Sequence, residues 1–308
     1  MRPRISLALA LLGLISAMTS VQAAGKDTPS IQQILKASKS SEWRALNPDN
    51  TLYMDLPDGR VVIELAPWWS PKHVANIKTL VREHYFDHTS IYRVQDNFVA
   101  QWGDPDSDNP KKAKSMGTAK THLPPEYDRS YDTSMSFTAL PDGDVYAPQV
   151  GFSHGFPTAR DPKTHRTWIA HCYGTVGVAR DVDPTSGNGN TLYAVIGQAR
   201  RIDHNLAVAG RVVQGMPLLS SLPRGDDANI GVYAKPSQRT PILRVRLAAD
   251  VPAAQREHLQ VLRTDSATFA RIVDAKRHRH DAFYRDPPGH ASLCSLDVPV
   301  RVDPKFAH

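Results

Sequence analysis

The sequence predicts a mainly β chain, and three stretches carry that reading. Residues 51–65 alternate in polarity around Leu56-Pro57-Asp58-Gly59, so they read as a hairpin in which 52–56 turn back into 60–65. Ile91, Tyr92 and Val94 mark a further strand, and Phe98, Val99 and Trp102 its partner; the turn pair Asp96-Asn97 divides them, and Gly103-Asp104-Pro105 stops the second. Residues 242–247 read as a closing strand. Strand side chains alternate between faces, so Arg93 and Gln101 share a face if the turn keeps register, with Phe98 and Val99 as apolar surface beside them. The ordinary alternative is an arginine that faces water.

The other elements follow in chain order. Residues 1–23 have a charged start (Arg2, Arg4), an apolar run over 5–18 and the small-residue site Val21-Gln22-Ala23, the pattern of a secretory signal peptide cleaved after Ala23 or one residue later, with an uncleaved anchor as the alternative. The run is shorter than the ~20 residues a membrane span needs, so no stable membrane insertion is expected after its removal, and the mature chain is expected to be periplasmic or secreted. Residues 24–50 form a linker in which Ile31, Ile34 and Leu35 have helical spacing, predicting a short helix packed on the domain. Ser70 is suited to cap a helix and Pro71 to begin it, with Val74, Ile77, Leu80 and Val81 as its buried stripe. Residues 106–168 are rich in Pro, Gly, Asp and Lys and read as loops, yet the aromatic and Gly content of 146–156 predicts an ordered segment packed on the domain. Leu218, Leu219 and Leu222 continue a helix after Gly215-Met216. In the extension 251–308, Leu259, Leu262, Phe269 and Ile272 predict a helix or helical pair over 255–277, ending in the basic, solvated Arg277-His278-Arg279-His280.

Composition narrows the function. A hydrophobic fraction of 41% over 308 residues is enough for a real core, and a net charge of +6 is too modest to point to nucleic acid. Among the 13 histidines, His278 and His280 have Arg277 and Arg279 beside them and His171-Cys172 lacks spaced partners, so no metal site is expected. Gly187-Asn188-Gly189-Asn190 has no Lys-Ser/Thr after it and reads as a turn, not a phosphate cradle. Ser153-His154 lacks the Gly-x-Ser-x-Gly elbow of a hydrolase. Cys172 and Cys294 are the two cysteines, enough for one disulfide in an exported chain; sequence carries no distance, so their pairing stays open.

Ile91-Tyr92-Arg93-Val94, Asn97-Phe98-Val99 and Gln101-Trp102-Gly103-Asp104 together resemble the signature of the cyclophilins, the peptidyl-prolyl cis-trans isomerases, of an exported bacterial type. Val74-Ala75-Asn76-Ile77, Leu123-Pro124-Pro125-Glu126-Tyr127, Gly174 to Arg180, Ser186 to Tyr193 and Ile202 to Val212 match further family segments. The resemblance implies a cyclophilin-like domain over 51–250, interrupted by an insertion at about 128–168 that lengthens the core by roughly forty residues. It implies a closed antiparallel barrel of about eight strands capped by helices, filled inside by side chains and therefore carrying its site outside.

The activity so implied is isomerisation of X-Pro bonds in exported proteins, assisting their folding, with proline-containing polypeptides as substrates and no cofactor. Arg93 takes the catalytic position. Phe98, Val99, Tyr193 and Leu206 would hold the proline ring, and Gln101, Ala179, Arg180, Thr191 and Ile202 the rest of the peptide-binding surface. Several of these depart from the family: Val99 replaces Met, Arg180 Asn, Thr191 Gln, Tyr193 Phe and Leu206 His, and Arg201 stands where many members have Trp. Those departures, with the insertion and tail, motivate the alternative of a non-catalytic proline-peptide binding or chaperone module on the same scaffold.

Overall fold

The computed structural model describes residues 29–279 and 283–306; the expected signal peptide and His280 lie outside them. The main sheet contains β1 (Thr51–Leu56), β2 (Gly59–Leu65), β3 (Ser90–Val94), β4 (Val99–Gly103), β5 (Thr175–Val178), β6 (Thr191–Val195), β7 (Val208–Gln214), β8 (Thr240–Pro241) and β9 (Arg244–Leu247). Its spatial order is β8-β3-β4-β6-β5-β7-β2-β1-β9, antiparallel throughout. The two ends of that order are halves of one run. Thr240 lies opposite Ile91 on one edge and Val245 opposite Met54 on the other. Between them Ile242 N–H donates to the Thr89 carbonyl and Leu243 N–H to that of Asp55. The run therefore joins both edges, and the sheet closes as a barrel of eight chain passes, as expected.

Period-two alternation sends Leu52 and Met54 of β1, Val61 and Ile63 of β2, and Ala100 and Trp102 of β4 into the barrel core. The outward residues Tyr53 and Val62 are buried as well, against Val251 and Leu259 of the C-terminal extension. The helix Pro71–Arg82 covers one end with Val74, Ile77, Leu80 and Val81. Ser70 does not cap it: its hydroxyl donates instead to the Val208 carbonyl at 2.6 Å, tying the helix start to β7. A second, short helix is Met216–Ser220.

The region read as loops is largely a second sheet. Arg129–Ser130, Thr138–Ala139, Gln149–Ser153, Phe156–Asp161 and Arg166–Ile169 form five antiparallel strands, packed on the barrel where Met135, Phe156 and Ile169 meet Ala66, Trp69 and Val208. The C-terminal extension also differs from expectation. Leu259–Leu262 is a strand, paired on one side with Trp43–Ala45 and on the other with Val300–Val302. The helix begins only at Ala267, where the Ser266 hydroxyl accepts from Phe269 N–H, and runs to Arg277. The predicted N-terminal helix is Ile31–Lys36, and its Ile34 joins Trp43, Phe269 and Ile272 around Phe152 and Trp168 of the inserted sheet. Cys172 and Cys294 are bonded, Cα to Cα 5.0 Å, joining the barrel's β5 approach to the C-terminal extension. Arg277 is less solvated than expected: it is paired with Asp142 of the inserted region.

Candidate active site

A bulge between Ile91 and Arg93 shifts the β3–β4 pairing by one residue. Ile91 and Trp102 stay paired inside, while Arg93 comes directly opposite Gln101 on the outer face, so the two share a face as the spacing predicted. An open groove of about 580 Å³ lies there, and Arg93, Phe98, Val99, Gln101, Ala179, Arg180, Thr191, Tyr193 and Leu206 all line it.

Arg93 is half-buried, and neutral acceptors hold it at three points. Its Nη1 donates to Gln101 Oε1 at 2.9 Å, Nη2 to Gln95 Oε1 at 2.6 Å and Nε to the Ile230 carbonyl at 2.8 Å. Gln101 is itself fixed, donating through Nε2 to the Tyr92 hydroxyl at 2.7 Å. No carboxylate pairs with Arg93 among the described residues. Burial pulls its proton affinity below the usual arginine value, and the nearby Arg201 charge adds to that. A guanidinium nevertheless stays charged at neutral pH. Five N–H bonds less three leave two for a bound group.

Beside this donor is an apolar slot. Val99, Tyr193, Val195 and Ala199 form its buried wall, with Phe98, Ala179, Ile202 and Leu206 packed around them. Two cations lie over the Phe98 ring, with the Arg93 guanidinium carbon 5.7 Å and that of Arg201 4.0 Å from its centre. Ile202 does not reach the groove wall and supports the slot from behind. Arg180 reaches the groove, but its guanidinium donates to the carbonyls of Asn205 and Asp181 at 3.0 and 2.6 Å, so it braces two loops. A cationic donor at the lip of an apolar slot stabilises charge or a lone pair that develops on a bound group, with no proton transfer required.

Sequence reasoning missed Gln95, Tyr92 and the loop that supplies Ile230 and Val232 to the groove. Tyr92 and Gln95 flank Arg93 in sequence and were within reach of the strand argument. Ile230 had no local signal, since its contact with Arg93 is purely tertiary. That loop depends on Gly231, whose φ of +86° is left-handed and where a Cβ would lie 2.7 Å from the Gln95 Cα.

Residues 51–247 match the family model described as "Cyclophilin type peptidyl-prolyl cis-trans isomerase/CLD". The chain is 29% identical over 209 residues to a "Probable peptidyl-prolyl cis-trans isomerase" of Brucella suis biovar 1 (strain 1330), covering 67% of this chain and 86% of that protein. The protein of the same name from Brucella abortus (strain 2308) is 28% identical with the same coverage. Among solved structures, the cyclophilin AquaCyp293 from Hirschia baltica superposes with a TM-score of 0.68 at 26% identity, over 84% of this chain and 92% of that one. The match of fold, of family segments and of named relatives places the chain in the cyclophilin-type family, and it is a peptidyl-prolyl cis-trans isomerase.

Proposed function

We propose that Arg93 is the catalytic residue of this isomerase and that its substrates are X-Pro bonds in exported proteins during their folding. The observation that carries the first part is the guanidinium held by three neutral acceptors beside Phe98, with two N–H bonds left over. The amide resists rotation because resonance gives its C–N bond double-bond character, with a barrier of ~18–20 kcal/mol. At the twisted transition state the prolyl nitrogen regains a lone pair. A hydrogen bond from Arg93 to that lone pair exists only there, and so lowers the barrier without tightening ground-state binding. Phe98, Val99, Tyr193 and Leu206 hold the ring, with Ile202 behind them. Gln101, Thr191 and the backbone at Ala179 hold the flanking peptide, and Arg180 acts through the loops it braces.

Export is supported by the leader pattern of residues 1–23 and by the Cys172–Cys294 disulfide, a bond that persists in oxidising compartments. Uncatalysed X-Pro interconversion takes tens to hundreds of seconds, slow enough to limit folding. The test is cell fractionation of the producing organism with mass spectrometry of the chain, followed by prolyl-limited refolding of an exported protein with and without it. The expected result is a chain beginning after Ala23 in the envelope fraction that accelerates the slow refolding phase. A cytoplasmic chain that retains Met1, or a slow phase it leaves unchanged, overturns the proposal.

A further inference from the structure

Tyr193 forms a wall of the slot, and it is only 3% exposed. Its hydroxyl end lies over Gly177, so close that a Cβ there would be 2.2 Å from both Cζ and Oη. The hydroxyl meets His171 Nε2 at 2.9 Å. His171 is 1% exposed, and its Nδ1 lies 3.0 Å from Asp203 Oδ1. The Asp203 carboxylate also accepts from the His171 backbone N–H at 2.9 Å, from Trp168 Nε1 at 3.3 Å and from Arg200 Nε at 2.6 Å. Arg200 in turn makes a two-point contact with Asp144 of the inserted region, at 2.9 and 3.0 Å. Every member of this chain from Tyr193 to Asp144 is buried at its side chain.

The proton positions follow from the partners. Burial pushes Asp203 up, but the His171 hydrogen bond and the Arg200 charge outweigh it and hold Asp203 below the usual carboxylate range. An ionised carboxylate only accepts, so the ring nitrogen of His171 that faces it, Nδ1, carries a proton and donates. Burial, helped by the Asp203 charge, holds the Tyr193 phenol well above its usual value, so it remains a donor. Tyr193 Oη and His171 Nε2 are thus hydrogen-bond partners across 2.9 Å. This contact ties the hydroxyl end of the ring to His171, while Val99, Val195 and Ala199 pack with it and Gln101 stands opposite it on the neighbouring strand.

We propose that His171 is a positioning residue for isomerisation: it pins the Tyr193 ring as a wall of the proline slot, and through Asp203, Arg200 and Asp144 the inserted sheet becomes part of the active-site scaffold. The inference rests on reading the groove as the proline site. Its test is a double-mutant cycle on kcat/KM with a short X-Pro peptide. His171→Asn keeps a donor toward Asp203 and deletes the ring nitrogen facing Tyr193; Tyr193→Phe deletes the hydroxyl.

The expected result is a fall of about tenfold for His171→Asn, the equivalent of about 1.4 kcal/mol, carried mainly by KM. Tyr193→Phe falls by a similar amount, and the double variant falls no further than either single variant, because the hydroxyl is what His171 acts through. Additive losses in kcat/KM mean that His171 does not act through the Tyr193 hydroxyl, and additivity overturns the inference. If His171→Asn does not fold, the same cycle is run with Asp144→Asn against Tyr193→Phe, with additivity again the refuting result. Arg93→Ala is measured alongside. A folded Arg93→Ala chain with full activity removes the groove reading itself, whereas additive cycles beside an impaired Arg93→Ala remove only the role of His171.

Discussion

Replacing Arg93 with alanine separates rate from binding and from stability, because the structure gives each a different size. Three hydrogen bonds disappear, with net values of about 0.5–1.5 kcal/mol each. Of their acceptors, the Gln101 side chain and Ile230 border the open groove and Gln95 is partly exposed, so all three regain water when the guanidinium is gone. The loss of folding stability is therefore about 1–2 kcal/mol, below the sum of the three bonds. The apolar slot of Phe98, Val99, Tyr193 and Leu206 remains, so peptide affinity changes little.

The rate behaves differently. One donor aimed at a transition state is worth roughly 2.7–4 kcal/mol, or on the order of 10²–10³ in rate. Arg93→Lys keeps the charge, but one ammonium cannot reproduce the planar fork that meets Gln95, Gln101 and Ile230 together, so it recovers only part of the activity. The assay is NMR exchange spectroscopy on a short X-Pro peptide at saturating and subsaturating enzyme, with urea melts on the same samples. A folded Arg93→Ala chain that exchanges the peptide at the wild-type rate refutes the mechanism.

Three further outcomes follow from the same structure. Phe98→Ala opens the slot and removes the ring beneath Arg93 and Arg201, so affinity and rate fall together; a loss confined to the rate contradicts the slot as the proline site. Arg277, with the Ala291 N–H and His290, holds Asp142 well below the usual carboxylate range against some desolvation. A depressed carboxylate contributes stability that is present above its unfolded value of about 3.9 and is lost as pH falls from there through the folded value; Asp142→Asn should flatten urea midpoints measured between neutral pH and pH 3, and an unchanged slope refutes it. Cys172 and Cys294 are separated by 122 residues, a loop whose closure is worth about 3–5 kcal/mol, so Cys294→Ser should lower the urea midpoint and make it insensitive to reductant.

What could be read from sequence was what is encoded locally. The hairpin of β1 and β2 and the pairing of β3 with β4 announce themselves through alternation and turn residues, and Arg93 opposite Gln101 follows from them. The inserted sheet was hidden because its strands are two to six residues long and interrupted by Gly and Pro, too short to establish a period. Leu259 and Leu262 are three apart, which suits a helix; what makes them a strand is pairing with Trp43–Ala45 and Val300–Val302 from opposite ends of the chain. Ser70 has the chemistry of a cap, but a barrel carbonyl competes successfully for its hydroxyl. Ile230 reaches Arg93, and His171 reaches Tyr193, only after the barrel closes.

The small sheet that joins Trp43–Ala45, Leu259–Leu262 and Val300–Val302 has a consequence in time. During synthesis its first strand emerges before the barrel and its last after nearly everything else, so for most of translation Trp43 has no partner. Pairings between distant parts of a chain are slow to form, and an unpaired strand edge is exposed to other chains meanwhile. The disulfide has the same delay, because Cys294 also appears late. The finished outer layer is thus a late event in folding. On the export proposed above, an incomplete chain of this kind is what reaches the far side of a membrane, and the layer seals there.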